Sequence, residues 1–253
     1  MSTTHSGKGS DLERRLALLW IGHTPGQRGP NAQLTVDAIV RAAIRVADAN
    51  GLETLSMQRV AAELGYSTMS IYNHVPSKDL LLELMADAAA GEPPPSEDTQ
   101  DWKGAVLRWA GHLWATFQLH PWILRIPLDH APIGPNQLTW LDRLLRHLLV
   151  GGLAGSEAMA AGLHLISAVR GAAQVSADLT GGHRTEEPPG QAARLLAELI
   201  DPRRFPVLAA VNAAASSHEE NGTDGGHDLP ADLTFGIGRF LDGIEVWAGS
   251  PKR

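Results

Sequence analysis

The feature that most constrains the fold of this chain is a pair of short, capped helical segments separated by a three-residue turn. Ser56 precedes the first segment, which ends at Gly65, and Ser67 precedes the second, which Pro76 ends. Serine before a helix can cap its free amide groups, and glycine can adopt the positive φ at which many helices end. A glycine-containing turn between two short helices is typical of the helix-turn-helix arrangement.

Two further helices are predicted on either side of this pair. Thr35 caps a helix whose apolar residues follow helical spacing as far as the stop at Asn50-Gly51, and Ser77 caps a helix that connects to the rest of the chain. Gly- and Pro-rich segments at 22–30 and 91–96 bound this compact unit. The sequence therefore predicts a flexible N-terminal extension over residues 1–31 and a three-helix DNA-binding domain, followed by its connector, over 32–88.

The remainder of the chain shows long helical patterns and no convincing strand alternation or hairpin signal. The fold class is therefore predicted to be all-α, with a helical-bundle domain over residues 96–253. The chain has no cysteine, no signal-peptide core at its N-terminus, and no apolar run near the roughly 20 residues that span a bilayer. These features predict a cytoplasmic protein.

Catalysis is not predicted. Eleven histidines and many carboxylates could hide an acid/base pair, but the sequence has no HExxH, EF-hand, phosphate-binding glycine loop or GxSxG pattern. We therefore expect no enzyme activity, no cofactor and no metal site.

DNA binding must rest on local residues, because the net charge of −7 disfavours binding through bulk electrostatics. In a helix-turn-helix unit the outward face of the third helix enters the major groove. Hydroxyl and amide side chains there can bond bases and phosphates, and a methionine can contact a thymine methyl group. The candidates are Ser56, Gln58, Ser67, Thr68, Met69, Ser70, Tyr72, Asn73, His74 and Lys78.

Two observations leave a structural alternative open for this unit. Residues 34–90 contain four basic and seven acidic side chains, a balance that does not favour DNA. Short capped helices also occur throughout helical proteins, so that Met69 and Tyr72 could be core residues.

The unit resembles the DNA-binding signature of the TetR family over about fifty positions. The matching stretches are AIVRAAIRVADANG (38–51), LSMQRVAAELG (55–65), SIYNHV (70–75) and KDLL (78–81). The resemblance implies a repressor, usually a homodimer, that a small molecule releases from DNA. It also places all of the candidates above except Ser67 at the family's DNA-contacting positions. Gln58 and Thr68 replace the arginine and glutamine of tetracycline repressors, so the operator sequence cannot be transferred.

The region after residue 100 resembles the C-terminal domain of tetracycline repressors more loosely, in the stretches 102–122 and 134–136. It contains six of the seven tryptophans. Clustered aromatic side chains can form an apolar effector pocket, although they can equally fill a core. We expect an apolar or aromatic small-molecule effector, with pocket candidates Trp109, Leu113, Trp114, Phe117, Trp140, Leu144, His147 and His164, and polar candidates Arg170 and Gln174.

Dimerisation is predicted through two helical segments, 156–178 and 231–248, which would form a four-helix interface with the same segments of a second subunit. Intramolecular packing of both segments is the alternative. A two-fold protein implies a pseudo-palindromic operator with half-sites about 34–36 Å apart. The function predicted is a DNA-binding repressor released by a small molecule; the alternative is a helical small-molecule-binding protein without sequence-specific DNA binding.

Overall fold

The computed structural model describes residues 6–21, 34–95, 101–127, 131–181, 199–215 and 229–250, and these residues form helices and connecting turns without a strand, which confirms the all-α class. The helices are α1 (Ser6–Ile21), α2 (Val36–Asn50), α3 (Met57–Leu64), α4 (Thr68–His74), α5 (Lys78–Ala90), α6 (Trp102–Leu119), α7 (Pro135–Val150), α8 (Gly155–Gly181), α9 (Pro206–Ala215) and α10 (Ala231–Ala248). Short 3₁₀ turns lie at Leu52–Thr54 and Pro121–Arg125. In the described ranges, no helix has the length and apolar character needed to cross a membrane.

The four caps predicted around the helix-turn-helix unit are confirmed. The hydroxyl of Thr35 accepts a hydrogen bond from the amide of Ala38, and the hydroxyls of Ser56, Ser67 and Ser77 do the same for the amides three residues later. Each such cap typically stabilises a helix by about 1 kcal/mol. The helices then share one core, to which each contributes a side chain that is fully buried: Ile39, Val60, Ile71 and Leu81.

Gly65 ends α3 in the left-handed region, with φ +73° and ψ 27°. We expect Gly65→Ala to destabilise the protein by about 1–2 kcal/mol, because an L side chain is strained at this φ. A Cβ would meet no atom within 4 Å, so the loss would report the backbone alone.

Chemical denaturation measures this change, with Gly155→Ala as the control. Gly155 also has open space around its Cβ position but lies in helix α8 without a positive φ. Its replacement should cost less than about 0.5 kcal/mol. Equal losses for the two variants would contradict a conformational requirement at Gly65.

The chain divides into two compact units, residues 1–174 with 227–253 and residues 175–226. Within the first unit, the core behind the helix-turn-helix is built from one face each of α6, α7, α8 and α10. Lys103 of α6 binds Asp242 and Glu245 of α10, with Nζ–O distances of 2.8 and 2.6 Å, and these hydrogen bonds raise the pKa of Lys103. The second unit contains the end of α8 and α9. Buried core side chains of the first unit include Val106, Trp109, Phe117, Trp140, Leu144, Leu148, Leu165, Val169, Ile237 and Leu241.

The N-terminal extension differs from its prediction as a flexible segment, because residues 6–21 form helix α1. Leu19 is buried, and Arg15 binds Glu83 of α5 at 2.7 Å. The indole of Trp20 donates a hydrogen bond to the carbonyl of Ile133 at 3.2 Å. These contacts hold α1 against α5 and the loop before α7, whereas the arm predicted at 22–30 lies outside the described residues.

Candidate nucleic-acid interface and effector region

Helix α4 turns one face into the core and leaves the other accessible. Ile71 is completely buried, whereas Met69 and Tyr72 are 69% and 42% exposed. This exposure excludes the alternative that Met69 and Tyr72 are core residues. Among the other candidates, Ser56, Gln58, Ser67, Asn73 and Lys78 are exposed, and Thr68, Ser70 and His74 are partly exposed.

Hydrogen bonds within α4 order several candidate side chains before any partner arrives. The hydroxyls of Ser67 and Ser70 lie 2.8 Å apart, while Ser67 also caps the helix. Nδ1 of His74 lies 2.9 Å from the carbonyl oxygen of Ser70. A carbonyl can only accept, so Nδ1 of His74 donates and Nε2 is left for an outside partner.

The four basic side chains of this unit differ in whether they contact a carboxylate. Arg41 binds Asp37, and Arg45 lies 3.5 Å from Glu63. Arg59 of α3 and Lys78 at the start of α5 are exposed, and no described carboxylate forms an ion pair with either of them. Sequence reasoning did not select Arg59, because a count of charges does not separate paired cations from unpaired ones.

Three of the seven acidic side chains of this unit are used in contacts with other parts of the chain. Glu83 binds Arg15 of α1. Asp48 at the end of α2 accepts hydrogen bonds from Nδ1 of His120 at 2.8 Å and from the indole of Trp122 at 2.6 Å. The contacts of Asp48 attach the helix-turn-helix unit to the 3₁₀ turn after α6.

The third of these acids, Asp87 of α5, is completely buried and caps the N-terminus of α7. Its carboxylate accepts hydrogen bonds from the amide of Gln137 at 3.0 Å and from the side chain of Asn136 at 3.2 Å. Gly134, the N-cap of α7, has no capping side chain, and any side chain at that position would collide with the Asp87 carboxylate. Helix α5 therefore supplies the cap for α7.

Two tryptophans extend this contact towards α6. The indole of Trp140 donates to the carbonyls of Ala90 and Gly91 at the end of α5, at 3.1 and 3.0 Å. The indole of Trp109 donates to the carbonyl of Trp140 at 3.0 Å, and the two rings pack edge to face at 5.7 Å. Both donors are therefore satisfied within the protein.

The predicted effector residues lie in several places. Trp109 and His147 line a groove of about 230 Å³ between α6 and α7. His164 packs against Phe240 at 4.8 Å and lines a separate cavity of about 310 Å³ between α8 and α10. Leu144 is fully buried, and Leu113, Trp114 and Gln174 are partly exposed. Ligand contact by any of them stays a prediction.

Arg170, predicted as a polar pocket residue, is directed towards the turn that follows α6. Its guanidinium donates to the carbonyls of Ile123 and Leu124 at 3.4 and 3.1 Å and lies 6.0 Å from the ring centre of Phe117. Burial lowers the pKa of Arg170. The 3₁₀ turn at Pro121–Arg125 is therefore bonded both by Asp48 of α2 and by Arg170 of α8.

Comparisons with known proteins match two regions of the chain to family descriptions. The description "Bacterial regulatory proteins, tetR family" matches residues 39–85, and "Tetracyclin repressor-like, C-terminal domain" matches residues 94–247. The HTH-type transcriptional repressor DrrR1 of Streptomyces coeruleorubidus is 36% identical over 255 residues, which is 97% of this chain and 89% of that protein. An HTH-type transcriptional regulator of Saccharopolyspora erythraea is 32% identical over 85% of this chain and 86% of its own length.

Among solved structures, apo ActR from Streptomyces coelicolor matches with a TM-score of 0.70 and 28% identity, over 86% of this chain and 98% of that chain. ActR has also been crystallised with actinorhodin and with (S)-DNPA. The family matches cover both the helix-turn-helix unit and the helical region behind it. The chain therefore belongs to the TetR family, whose members are DNA-binding transcriptional regulators and not enzymes.

Proposed function

We propose that this protein is a homodimeric repressor that binds a pseudo-palindromic operator through α3 and α4 and is released from it by a small-molecule effector. The observation that carries the proposal is the surface of the helix-turn-helix unit. Hydrogen-bonding side chains are exposed there, together with Arg59 and Lys78, two cations that pair with no carboxylate in the described part of the chain. Asp48, Glu83 and Asp87 are engaged elsewhere. This arrangement allows an acidic protein to present a local DNA-binding face.

The side chains divide into those that would read bases and those that would hold the backbone. Asn73 and Gln58 suit the adenine edge, and Met69 suits a thymine methyl group. The hydroxyl of Tyr72 suits a phosphate oxygen, whereas Nε2 of His74, an acceptor when Nδ1 carries the proton, suits an amino group on a base edge. Further backbone and base contacts are proposed for Ser56, Ser67, Thr68, Ser70, Arg59 and Lys78.

The dimer interface is proposed to lie on α8 and α10. Leu163 of α8 is 53% exposed, and Phe235 and Trp247 of α10 are 69% and 60% exposed. Large exposed apolar side chains on two helices are typical of an unfilled interface. Arg170, Leu241 and Ile244, which share these helices, point into the subunit and would not take part.

Effector binding is proposed to act through the two contacts that join the helix-turn-helix unit to the helices behind it. One is the hydrogen bond of Asp87 on α5 with the amide of Gln137 on α7. The other is the hydrogen bond between Asp48 on α2 and the indole of Trp122 in the turn after α6. A ligand that shifts α7 or this turn would move α5 or α2 and change the separation of the two recognition helices. Ligand binding by ActR supports an effector of this kind.

Fluorescence anisotropy on DNA tiled across the flanks of the protein's own gene tests this function, with excess non-specific competitor at about 150 mM salt. We expect tight binding to one pseudo-palindromic fragment and release by a small molecule, with actinorhodin as the first compound tried. Binding no stronger than to competitor on every tile would favour a helical ligand-binding protein that does not recognise DNA.

Arg59→Ala is expected to weaken operator binding about tenfold, because one charge-assisted phosphate contact is worth about 1.5 kcal/mol. The slope of log affinity against log salt should also fall by about 1. Anisotropy titrations at several salt concentrations measure both quantities. Arg41→Ala is the matched control, because Arg41 is already paired with Asp37. An unchanged salt slope in the Arg59 variant would contradict a phosphate contact.

A further inference from the structure

Among the residues that the structure describes, the groove between α6 and α7 is lined by four basic side chains and by no acidic one. Arg108 and His112 come from α6, and Arg143 and His147 come from α7. Three consecutive prolines, residues 93–95 of the segment after α5, form its other wall, and Trp109 and Ala105 contribute apolar surface. The cavity holds about 230 Å³, enough for a small organic molecule.

The positive charge of this groove is not neutralised by the described part of the chain. No described carboxylate forms an ion pair with Arg108, Arg143 or His147, and the guanidinium of Arg143 donates instead to the carbonyls of Pro93 and Pro94. By contrast, Arg146, the neighbouring arginine on α7, lies 3.4 Å from Asp142. Unpaired cations in a partly buried groove favour an anion from solution.

The pKa of His147 reflects the excess of positive charge around this groove. Burial lowers the pKa of His147, and the positive charges of Arg108 and Arg146 lower it further. A bound anion would oppose both effects, since it favours the protonated imidazole. His147 can therefore report occupation of the groove.

We infer that this groove binds a small organic anion, with a carboxylate held by Arg108 and Arg143 and an apolar body against Trp109 and the proline wall. Two arginines and two histidines match the donor requirements of a carboxylate, since each guanidinium can bind both of its oxygens. The surrounding tryptophan and prolines favour an aromatic or aliphatic carboxylic acid over inorganic phosphate.

Such a ligand would act directly on the end of α5. Arg143 holds the carbonyls of Pro93 and Pro94, which follow α5 and its cap Gly91. A carboxylate in the groove competes for the same guanidinium and so releases the segment after α5. The role of the anion as effector rests on the proposed function, whereas its binding does not.

The binding test is an NMR titration of the full-length protein without DNA, with ¹³C-labelled histidine. Benzoate is the probe and benzamide, its uncharged analogue, is the control ligand. We expect benzoate to shift the His147 resonance and raise the pKa of His147, whereas benzamide does neither. His147→Gln assigns the resonance. Glu97 and Asp98 follow Pro95 in the sequence, so a Glu97→Gln/Asp98→Asn variant is titrated in parallel to remove competing carboxylates.

Two arginine variants test the assignment. Arg108→Gln should weaken benzoate binding by about tenfold, as expected for one charge-assisted contact. The side chain of Arg108 takes part in no hydrogen bond or ion pair among the described residues, so the change should leave the fold intact. Arg146→Gln, which changes a paired arginine on the same helix, should alter it by less than about twofold. Equal responses to benzoate and benzamide, or no response in both the wild type and the Glu97→Gln/Asp98→Asn variant, would overturn the inference.

The regulatory step is tested separately by adding benzoate to the protein–operator complex. The effector role is supported if benzoate weakens operator binding by the wild type but not by the Arg108→Gln variant. Unchanged operator affinity of the wild type at saturating benzoate overturns it. A protein that binds benzoate but no DNA fragment would refute the proposed function and leave the anion site established. The two failures are therefore distinguishable.

Discussion

The Tyr72→Ala/Lys78→Ala double variant is expected to bind operator DNA about 100-fold more weakly than the wild type at about 150 mM salt. Each side chain is proposed to contact a phosphate, and two hydrogen bonds to charged groups of about 1.5 kcal/mol each give this factor. Lys78 lies at the first residue of α5 with no described carboxylate paired to it, and Tyr72 is 42% exposed on α4. Neither side chain therefore supports the core.

Anisotropy titrations measure this loss, and a thermal melt establishes that the variant is folded. Because Lys78 carries a charge and Tyr72 does not, the double variant should lower the salt slope by about 1 rather than 2. Arg146→Ala/Arg239→Ala is the control, since it removes two exposed cations from α7 and α10. A folded double variant with operator affinity within about threefold of the wild type would show that α4 is not the recognition helix.

Asp87→Ala is expected to destabilise the protein by about 3 kcal/mol, because it leaves the amide of Gln137 without its buried acceptor and removes one of the two acceptors that Asp87 offers to the side chain of Asn136. For a chain of this size, such a loss lowers the melting temperature by about 6–12 °C. It also separates α5 from α7, so the surviving folded protein should respond more weakly to any effector that acts through α7.

Calorimetry measures the melting temperature, and Asp142→Ala is the matched control on α7 itself. Asp142 is 72% exposed and pairs with Arg146 within one helix, so its loss should cost less than about 0.5 kcal/mol. If the Asp87→Ala and Asp142→Ala variants had the same melting temperature, the cap that α5 provides to α7 would contribute nothing to stability. The proposed coupling route would then lose its support.

The helix-turn-helix unit could be predicted in detail because its signals are local. A capping hydroxyl bonds an amide three residues away, and a glycine in the left-handed region ends a helix without help from distant residues. Thr35, Ser56, Ser67 and Ser77 therefore begin the helices predicted from them, and Gly65 ends α3 as expected. The helix after Thr35 likewise has its apolar residues at helical spacing, and one of them, Ile39, is completely buried.

The N-terminal extension shows where local reasoning stops. Residues 1–31 are predicted to form a flexible extension, but Leu19 is buried and Arg15 binds Glu83 of α5, more than sixty residues away. Whether a short amphipathic segment finds such partners depends on the surface that the other helices form. Its own sequence does not contain that information.

The sequence by itself determined the all-α class, the helix-turn-helix unit and the residues of its exposed face, because caps, breakers and helical periodicity act over a few residues. Only the tertiary structure decided which charges are paired. Among the described residues it left Arg59 and Lys78 without a paired carboxylate, bonded Asp48 to the turn after α6 and Asp87 to α7, and gathered Arg108 and Arg143 in one groove. The Arg45–Glu63 contact and the cap that Asp87 gives to α7 join residues of different helices, so they arise only when the helices pack.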